Sequence, residues 1–247
     1  MLALLTAGCA GQPDSASPSA GTPEVLGRTF LSTSVSGHAL AEGTRISLMF
    51  PEKGKISANA GCNHLFGDVT FEGGRMKVSD MGGTDMACDK PRMDQDDWFI
   101  KFVTAGPAYT LTGNDLVLKG DSTEIKLQDR EVADPDRPLA GRRWTVDSLL
   151  DSESASSVPQ GAQAYLEFQG DKVTGNTGCN SLGGTFSQQD KTITFSNVAT
   201  TKMACPGPEG QLERAVVGVL DGTVDYTIEA NRLVLKHPSG RGLQLTS

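Results

Sequence analysis

The sequence predicts a mainly β protein of the α+β class, built as two tandem domains. Three observations carry that reading. Gly61-Cys62-Asn63 recurs as Gly178-Cys179-Asn180, and Thr84-Asp85-Met86-Ala87-Cys88 recurs as Thr201-Lys202-Met203-Ala204-Cys205, both at an offset of 117 residues. Self-similarity at one fixed offset is the mark of a duplicated unit. Short runs of alternating apolar residues, separated by turn residues, fill most of each copy, as half-buried strands do. One stretch of helical period follows the second cysteine of each copy.

The elements follow in chain order. Residues 1–8 are apolar and end in small side chains before Cys9. This resembles the lipobox of a bacterial lipoprotein, in which the cysteine thiol receives diacylglycerol after cleavage. The run lacks a charged leader and is short for a signal segment, so the start codon is expected upstream, with residues 1–8 a signal remnant. Residues 9–24 are rich in Gly, Ser, Pro and Ala without an apolar period. Such a composition cannot bury enough surface to order itself, and predicts a flexible tether. No segment approaches the ~20 apolar residues of a membrane-spanning helix.

The first domain is expected over residues 25–128. Ile46, Leu48 and Phe50 alternate, a turn at Lys53-Gly54 follows, and Ile56 and Ala58 resume the alternation. Val69-Thr70-Phe71 and Met76-Lys77-Val78 flank Glu72-Gly73-Gly74-Arg75, a hairpin signal. Met93, Trp98, Phe99, Phe102 and Val103 form a rough helical stripe after Pro91. Asp94, Asp96 and Asp97 read as a solvated first turn, favoured by the helix dipole. Strands at Tyr109–Leu111, Leu116–Leu118 and Ile125–Leu127 close the copy.

Residues 129–138 are charged and proline-bearing, the composition of a linker. The second domain is expected over residues 139–247. Leu139-Ala140-Gly141-Arg142-Arg143-Trp144 echoes Val25-Leu26-Gly27-Arg28-Thr29-Phe30 at an offset of 114, so the second copy carries three extra residues before its Gly-Cys-Asn. Hairpins reappear in the same order. Leu212, Ala215, Val216, Val219 and Leu220 form one stripe of an amphipathic helix after Pro208. Tyr226–Ile228, Leu233–Leu235 and Leu243–Leu245 close the second copy.

Composition narrows the function classes. A formal net charge of −8 without a basic stripe argues against nucleic acid, whose binding replaces counterions with clustered Lys and Arg. The 29 glycines and 6% aromatics fit many turns between short strands.

The Gly-Cys-Asn motif, a glycine four residues past its asparagine (Gly67, Gly184), Thr-x-Met-Ala-Cys, the helix, and a closing Tyr-x-[Leu/Ile]-x4-Leu-x-Leu together resemble the META domain, the HslJ-like heat-shock lipoprotein family, once per half. The motif positions are Gly61, Asn63, Thr84 and Met86 in the first copy, Gly178, Asn180, Thr201 and Met203 in the second. The resemblance implies a partly open, antiparallel, barrel-like sheet with one amphipathic helix packed on it, in an envelope protein linked to stress and envelope integrity.

Cys62 and Cys88 stand 26 residues apart, as do Cys179 and Cys205. In an exported protein, equal spacing in both copies reads as one disulfide per domain. Free buried thiols and a metal site are the rivals. Cys62, His64 and Cys88 offer three zinc ligands, but Ser181 replaces the histidine in the second copy, and a structural zinc takes about four. No metal and no cofactor are therefore expected. Asn63 and Asn180 read as turn residues, Thr84 and Thr201 as strand or turn residues, and Met86 and Met203 as core fillers.

No nucleophile–base set repeats between the copies, and His38, His64 and His237 lack counterparts. The expectation is a non-catalytic protein, anchored through Cys9 to the outer face of a bacterial cell membrane, acting as an interaction or stress-related module with an envelope protein as partner. The alternative is a binder of small apolar ligands at a barrel mouth, lined by residues such as Phe50, Phe71, Phe168 and Phe195. The first reading predicts exposed apolar patches, the second a concave cavity.

Overall fold

The computed structural model describes residues 24–152 and 154–247. The expected signal remnant, Cys9 and nearly all of the expected tether lie outside the described residues. The chain divides into two units, one ending at Ala133 and the other spanning Asp134–Ser247.

The first unit runs β1 (Thr29–Ser36), β2 (Ser47–Met49), β3 (Lys55–Asn59), β4 (His64–Glu72), β5 (Arg75–Gly83), α1 (Lys90–Thr104), β6 (Ala108–Thr112), β7 (Asp115–Lys119), β8 (Glu124–Asp129) and α2 (Arg130–Ala133). Its eight strands form a closed antiparallel barrel in chain order. The β4–β5 hairpin turns at Gly73 and Gly74, both at positive φ (57° and 72°), where a Cβ would be strained. The polar β1 has no sequence signal beyond its first residues, yet its pairing with β8, from Phe30 opposite Asp129 to Ser36 opposite Glu124, closes the barrel. The sheet is thus closed, not partly open. Closure pairs the backbone groups that two open edges would leave exposed. The seam between β5 and β6 is thin, with Arg75 opposite Ala108 as its one ladder pair. The chain leaves the sheet at that seam to build α1.

The second unit runs β9 (Arg143–Leu150), β10 (Ala155–Ser157), β11 (Tyr165–Gln169), β12 (Lys172–Asn176), β13 (Ser181–Gln189), β14 (Thr192–Thr200), α3 (Pro208–Val219), β15 (Thr223–Glu229), β16 (Arg232–Lys236) and β17 (Gly242–Thr246). Pairing of β9 with β17 closes this sheet too, and the short β10 lies outside the barrel on β9.

Each barrel is filled by its own side chains. Phe30, Leu48, Leu116, Leu118 and Leu127 pack in the first, Trp144, Leu166, Leu233, Leu235 and Leu245 in the second. The Trp144 indole donates to the Leu139 carbonyl at 2.8 Å, so its one polar atom is satisfied inside. Helix α3 buries Leu212, Val216 and Val219, three positions of its stripe, and Leu220 behind it is buried as well. Helix α1 departs from its stripe. Met93 is exposed, Trp98 half-buried, and Gln95 and Asp96 are buried beside Phe99, Phe102 and Val103.

The segment 129–138 is more structured than a linker. Asp129 ends β8, accepts from Arg28 Nε at 2.6 Å and caps α2 by accepting from the Glu131 amide at 2.9 Å. Asp134 onward belongs to the second unit, where the Arg137 amide donates to the Ala230 carbonyl at 2.8 Å. The charges that give this segment its linker composition include pairing groups.

Candidate functional site

The repeated motif folds into the same cluster in both domains. Each pair of cysteines forms a disulfide, with Cα–Cα distances of 6.0 Å for Cys62–Cys88 and 6.2 Å for Cys179–Cys205. Each disulfide ties the loop before β4 or β13 to the segment between the second hairpin and the helix.

Beside each disulfide the asparagine bridges three segments. Asn63 Oδ1 accepts from the Thr84 hydroxyl at 3.0 Å and the Met86 amide at 2.8 Å. Its backbone amide and Nδ2 donate to Asp96 Oδ2 on α1 at 2.7 and 3.1 Å, and the Cys62 amide donates to Asp96 Oδ1 at 3.2 Å. In the second domain Asn180 Oδ1 accepts from the Thr201 hydroxyl at 2.7 Å and the Met203 amide at 2.8 Å. Its Nδ2 donates to the Glu213 carboxylate on α3 at 2.8 and 3.1 Å. Buried polar groups are costly unless paired, and here the amide is used at both ends.

Asp96 and Glu213 stand at the repeat offset of 117, yet sequence reading misses both as site residues. Its position in a helix start puts Asp96 in solvent by pattern alone. It is buried, because the sharp turn at Cys62-Asn63 supplies backbone donors to hold a carboxylate. The matched offset of two acids on the two helices is the available signal. Gln95 is buried in the same region and reaches the Ala60 carbonyl, the Ala41 amide and Thr44. Leu212 stands at its place in the second domain, where Thr177 Oγ1 accepts from the Asn180 amide instead, at 3.1 Å.

The motif methionines do not fill the cores. Met86 is 49% exposed and Met203 62%. The asparagine holds each Met backbone amide while the side chain stands in solvent. Both domains therefore present a flexible apolar side chain from a segment pinned by a disulfide and a hydrogen-bonded amide.

Two further surfaces belong to the first domain. A cavity of about 620 Å³ opens at one end of the barrel, between the segment preceding β1, the β2–β3 turn and the β4–β5 hairpin. Val25, Leu26, Phe50, Val69 and Phe71 supply its apolar wall. The phenylalanines expected to line a mouth in the second domain, Phe168 and Phe195, are buried in its core. On the outer face of the sheet, Met49 (40% exposed), Ser57 and Phe66 (50% exposed) stand opposite one another across β2, β3 and β4. The corresponding row of the second domain is Glu167, Thr174 and Gly183.

The histidines are scattered. His64 Nε2 and Ser57 Oγ are 3.2 Å apart on the outer face of the first barrel, a pair that becomes Ser181 and Thr174 in the second. His38 stacks on Trp98 at 3.8 Å, and burial there lowers its pKa. His237 bonds to Ser239 and the Asp221 carbonyl in a turn. Among the described residues, Cys179, Cys205 and Glu213 are close enough to be considered as metal ligands. With both sulfurs in a disulfide, no thiolate remains to coordinate.

The profile of the META domain matches residues 23–132 and again residues 137–247. The chain belongs to the META domain family. Its two META domains carry the motif as a disulfide, an asparagine bridge and a solvent-facing methionine. Among curated proteins none matches this chain. Among solved structures, a protein from Burkholderia xenovorans determined by NMR is similar at 25% identity, covering 44% of this chain and 82% of that one, with a TM-score of 0.39. A second NMR structure is similar at 23% identity, covering 41% and 88%, with a TM-score of 0.36. The family assignment rests on the profile match.

Proposed function

We propose that this protein is a non-catalytic tandem META lipoprotein, tethered through Cys9 to the outer face of a bacterial cell membrane, where it binds an envelope protein as a stress-linked assembly or stabilising factor. The observation that carries the reading is the pair of exposed methionines, Met86 and Met203, each displayed at the same place on a rigid scaffold. Binding residues are commonly set on loops held by rigid elements, and methionine adapts to irregular partner surfaces. The outer row of Met49 and Phe66 adds apolar surface to the first domain, the kind of patch that marks contact sites.

The test is a photo-crosslinking amino acid placed at position 86, 203 or 119, one at a time, in cells. The expected result is a discrete protein adduct from 86 and from 203 that Lys119, on an unrelated exposed strand, does not give. No adduct at either methionine, or the same adducts at all three positions, sinks the interaction reading. Metabolic labelling with palmitate, lost in Cys9→Ala, tests the anchor separately.

A second reading, binding of an apolar ligand at a barrel mouth, is favoured by the cavity at Phe50 and Phe71 of the first domain.

A further inference from the structure

We propose that the mouth of the first barrel holds a single acyl chain with a zwitterionic head, that is, a lysophospholipid whose head carries a phosphate and an ammonium. The inference rests on the ligand-binding reading of this mouth and names its occupant.

The cavity of about 620 Å³ falls in the range of small-molecule sites, which are mostly apolar with few polar groups at the entrance. Its wall is aliphatic and aromatic, with Phe71 edge-on to Tyr109 at 4.9 Å and tilted against Phe50 at 5.7 Å. Leu26 stands at the lip, 63% exposed. An apolar lip left in water favours an alkyl chain laid along it, because each methylene gains by leaving water.

The charges at the entrance argue for the head. Four charged residues line it: Glu52, Lys53, Lys55 and Glu72. Lys55 is engaged by Asp68 at 2.5 Å, which raises its pKa, and Glu72 by Lys77 at 2.9 Å. Glu52 acts on Lys55 through charge alone, without an ion pair, and Lys53 forms no ion pair among the described residues. One carboxylate and one ammonium, adjacent in the chain, complement a head carrying an ammonium and a phosphate. A lone fatty carboxylate would find Lys53 but also meet Glu52.

The second domain carries different residues at this end. Phe71 stands opposite Met76 on the β4–β5 hairpin, and Gln188 stands opposite Ile193 on the matching β13–β14 hairpin. There Gln188 Nε2 donates to the Tyr226 hydroxyl, whereas Phe71 meets Tyr109 through its ring. Ala140 replaces Leu26 at the lip. At this end the two copies therefore differ: a polar pair stands in one where an apolar pair stands in the other.

The experiment uses the full chain with Cys9→Ala, so that no attached lipid competes. Nile red, a neutral dye that brightens in apolar surroundings, is titrated in, then displaced with 1-palmitoyl lysophosphatidylethanolamine or palmitate, each below its micelle threshold. The expected result is dye binding that Phe71→Gln and the surface change Leu26→Asp each weaken about tenfold or more, with both thermal transitions retained. Lysophosphatidylethanolamine should displace the dye at concentrations about tenfold lower than palmitate. Dye binding without displacement by the lysolipid, or displacement by palmitate at equal or lower concentration, overturns the proposed occupant and leaves the mouth as a site for another apolar ligand. No dye binding, or equal binding by both variants and the parent, overturns the mouth reading along with it.

Discussion

At the scale of single residues, the two asparagines do the same work with different reserves. Asn180 is 2% exposed, and its Nδ2 is the group that meets the Glu213 carboxylate. Asp96 keeps the Cys62 and Asn63 amides even without the Asn63 side chain. Asn180→Ala should therefore destabilise its domain by about 2–3 kcal/mol, the cost of stranding buried polar groups, and Asn63→Ala by less. Urea denaturation followed domain by domain checks the order; an equal or reversed order contradicts the account. His38 supplies a pH-dependent term. Burial against Trp98 lowers its pKa, so the unfolded chain, titrating near the ordinary value of 6.5, takes up the proton first on acidification. This group contributes nothing to the slope above pH 6.5, and costs stability as pH falls from there through its lowered folded pKa. Replacing it in His38→Gln should flatten the thermal stability of the first domain across that window by a small amount. An unchanged pH profile would contradict the assignment.

At the scale of elements, the helices show how the motif is locked to the barrel. Gly210 lies in the first turn of α3, where a Cβ would overlap the Cys205 carbonyl. A glycine to alanine change inside a helix ordinarily stabilises by ~1 kcal/mol. Gly210→Ala should instead lower the melting temperature of the second domain, because the helix must shift away from the disulfide loop. A rise in melting temperature would show that the contact is soft. The disulfides act on the same joint. Removing either pair, as in Cys62→Ser with Cys88→Ser, should cost its domain roughly 3–4 kcal/mol by the chain-entropy argument.

At the scale of the whole molecule, each unit holds its own closed barrel and its own core. Calorimetry of the disulfide variants should show the transition of the altered domain moving and the other staying in place. A single merged loss would mean that the two fold as one. The copies have also diverged in what they present. The first retains the apolar mouth and the Met49–Phe66 row, and the second replaces them with Gln188, Glu167 and Gly183. What both keep is the disulfide, the asparagine bridge and the outward methionine. The shared surface and the private one therefore differ in chemistry.

The duplication, the hairpins, the helix positions and the cysteine pairing are legible in the chain itself, because period and offset are properties of sequence. The outward turn of Met86 and Met203 is not legible in the same way. Each methionine sits in a segment held by an asparagine 23 residues earlier in the chain, a contact that local pattern does not show. Closure of the first barrel is equally hidden, since β1 is too polar to announce itself and forms its ladders with β2 and, across the closing seam, with β8. The burial of Asp96 and Gln95 also comes from assembly. A carboxylate near a helix start reads as solvated until another segment brings donors to it. Local pattern determined the elements and their order. Tertiary structure alone decided which polar groups were taken inside and which apolar ones were left in solvent, because burial is settled by contacts between residues distant in sequence.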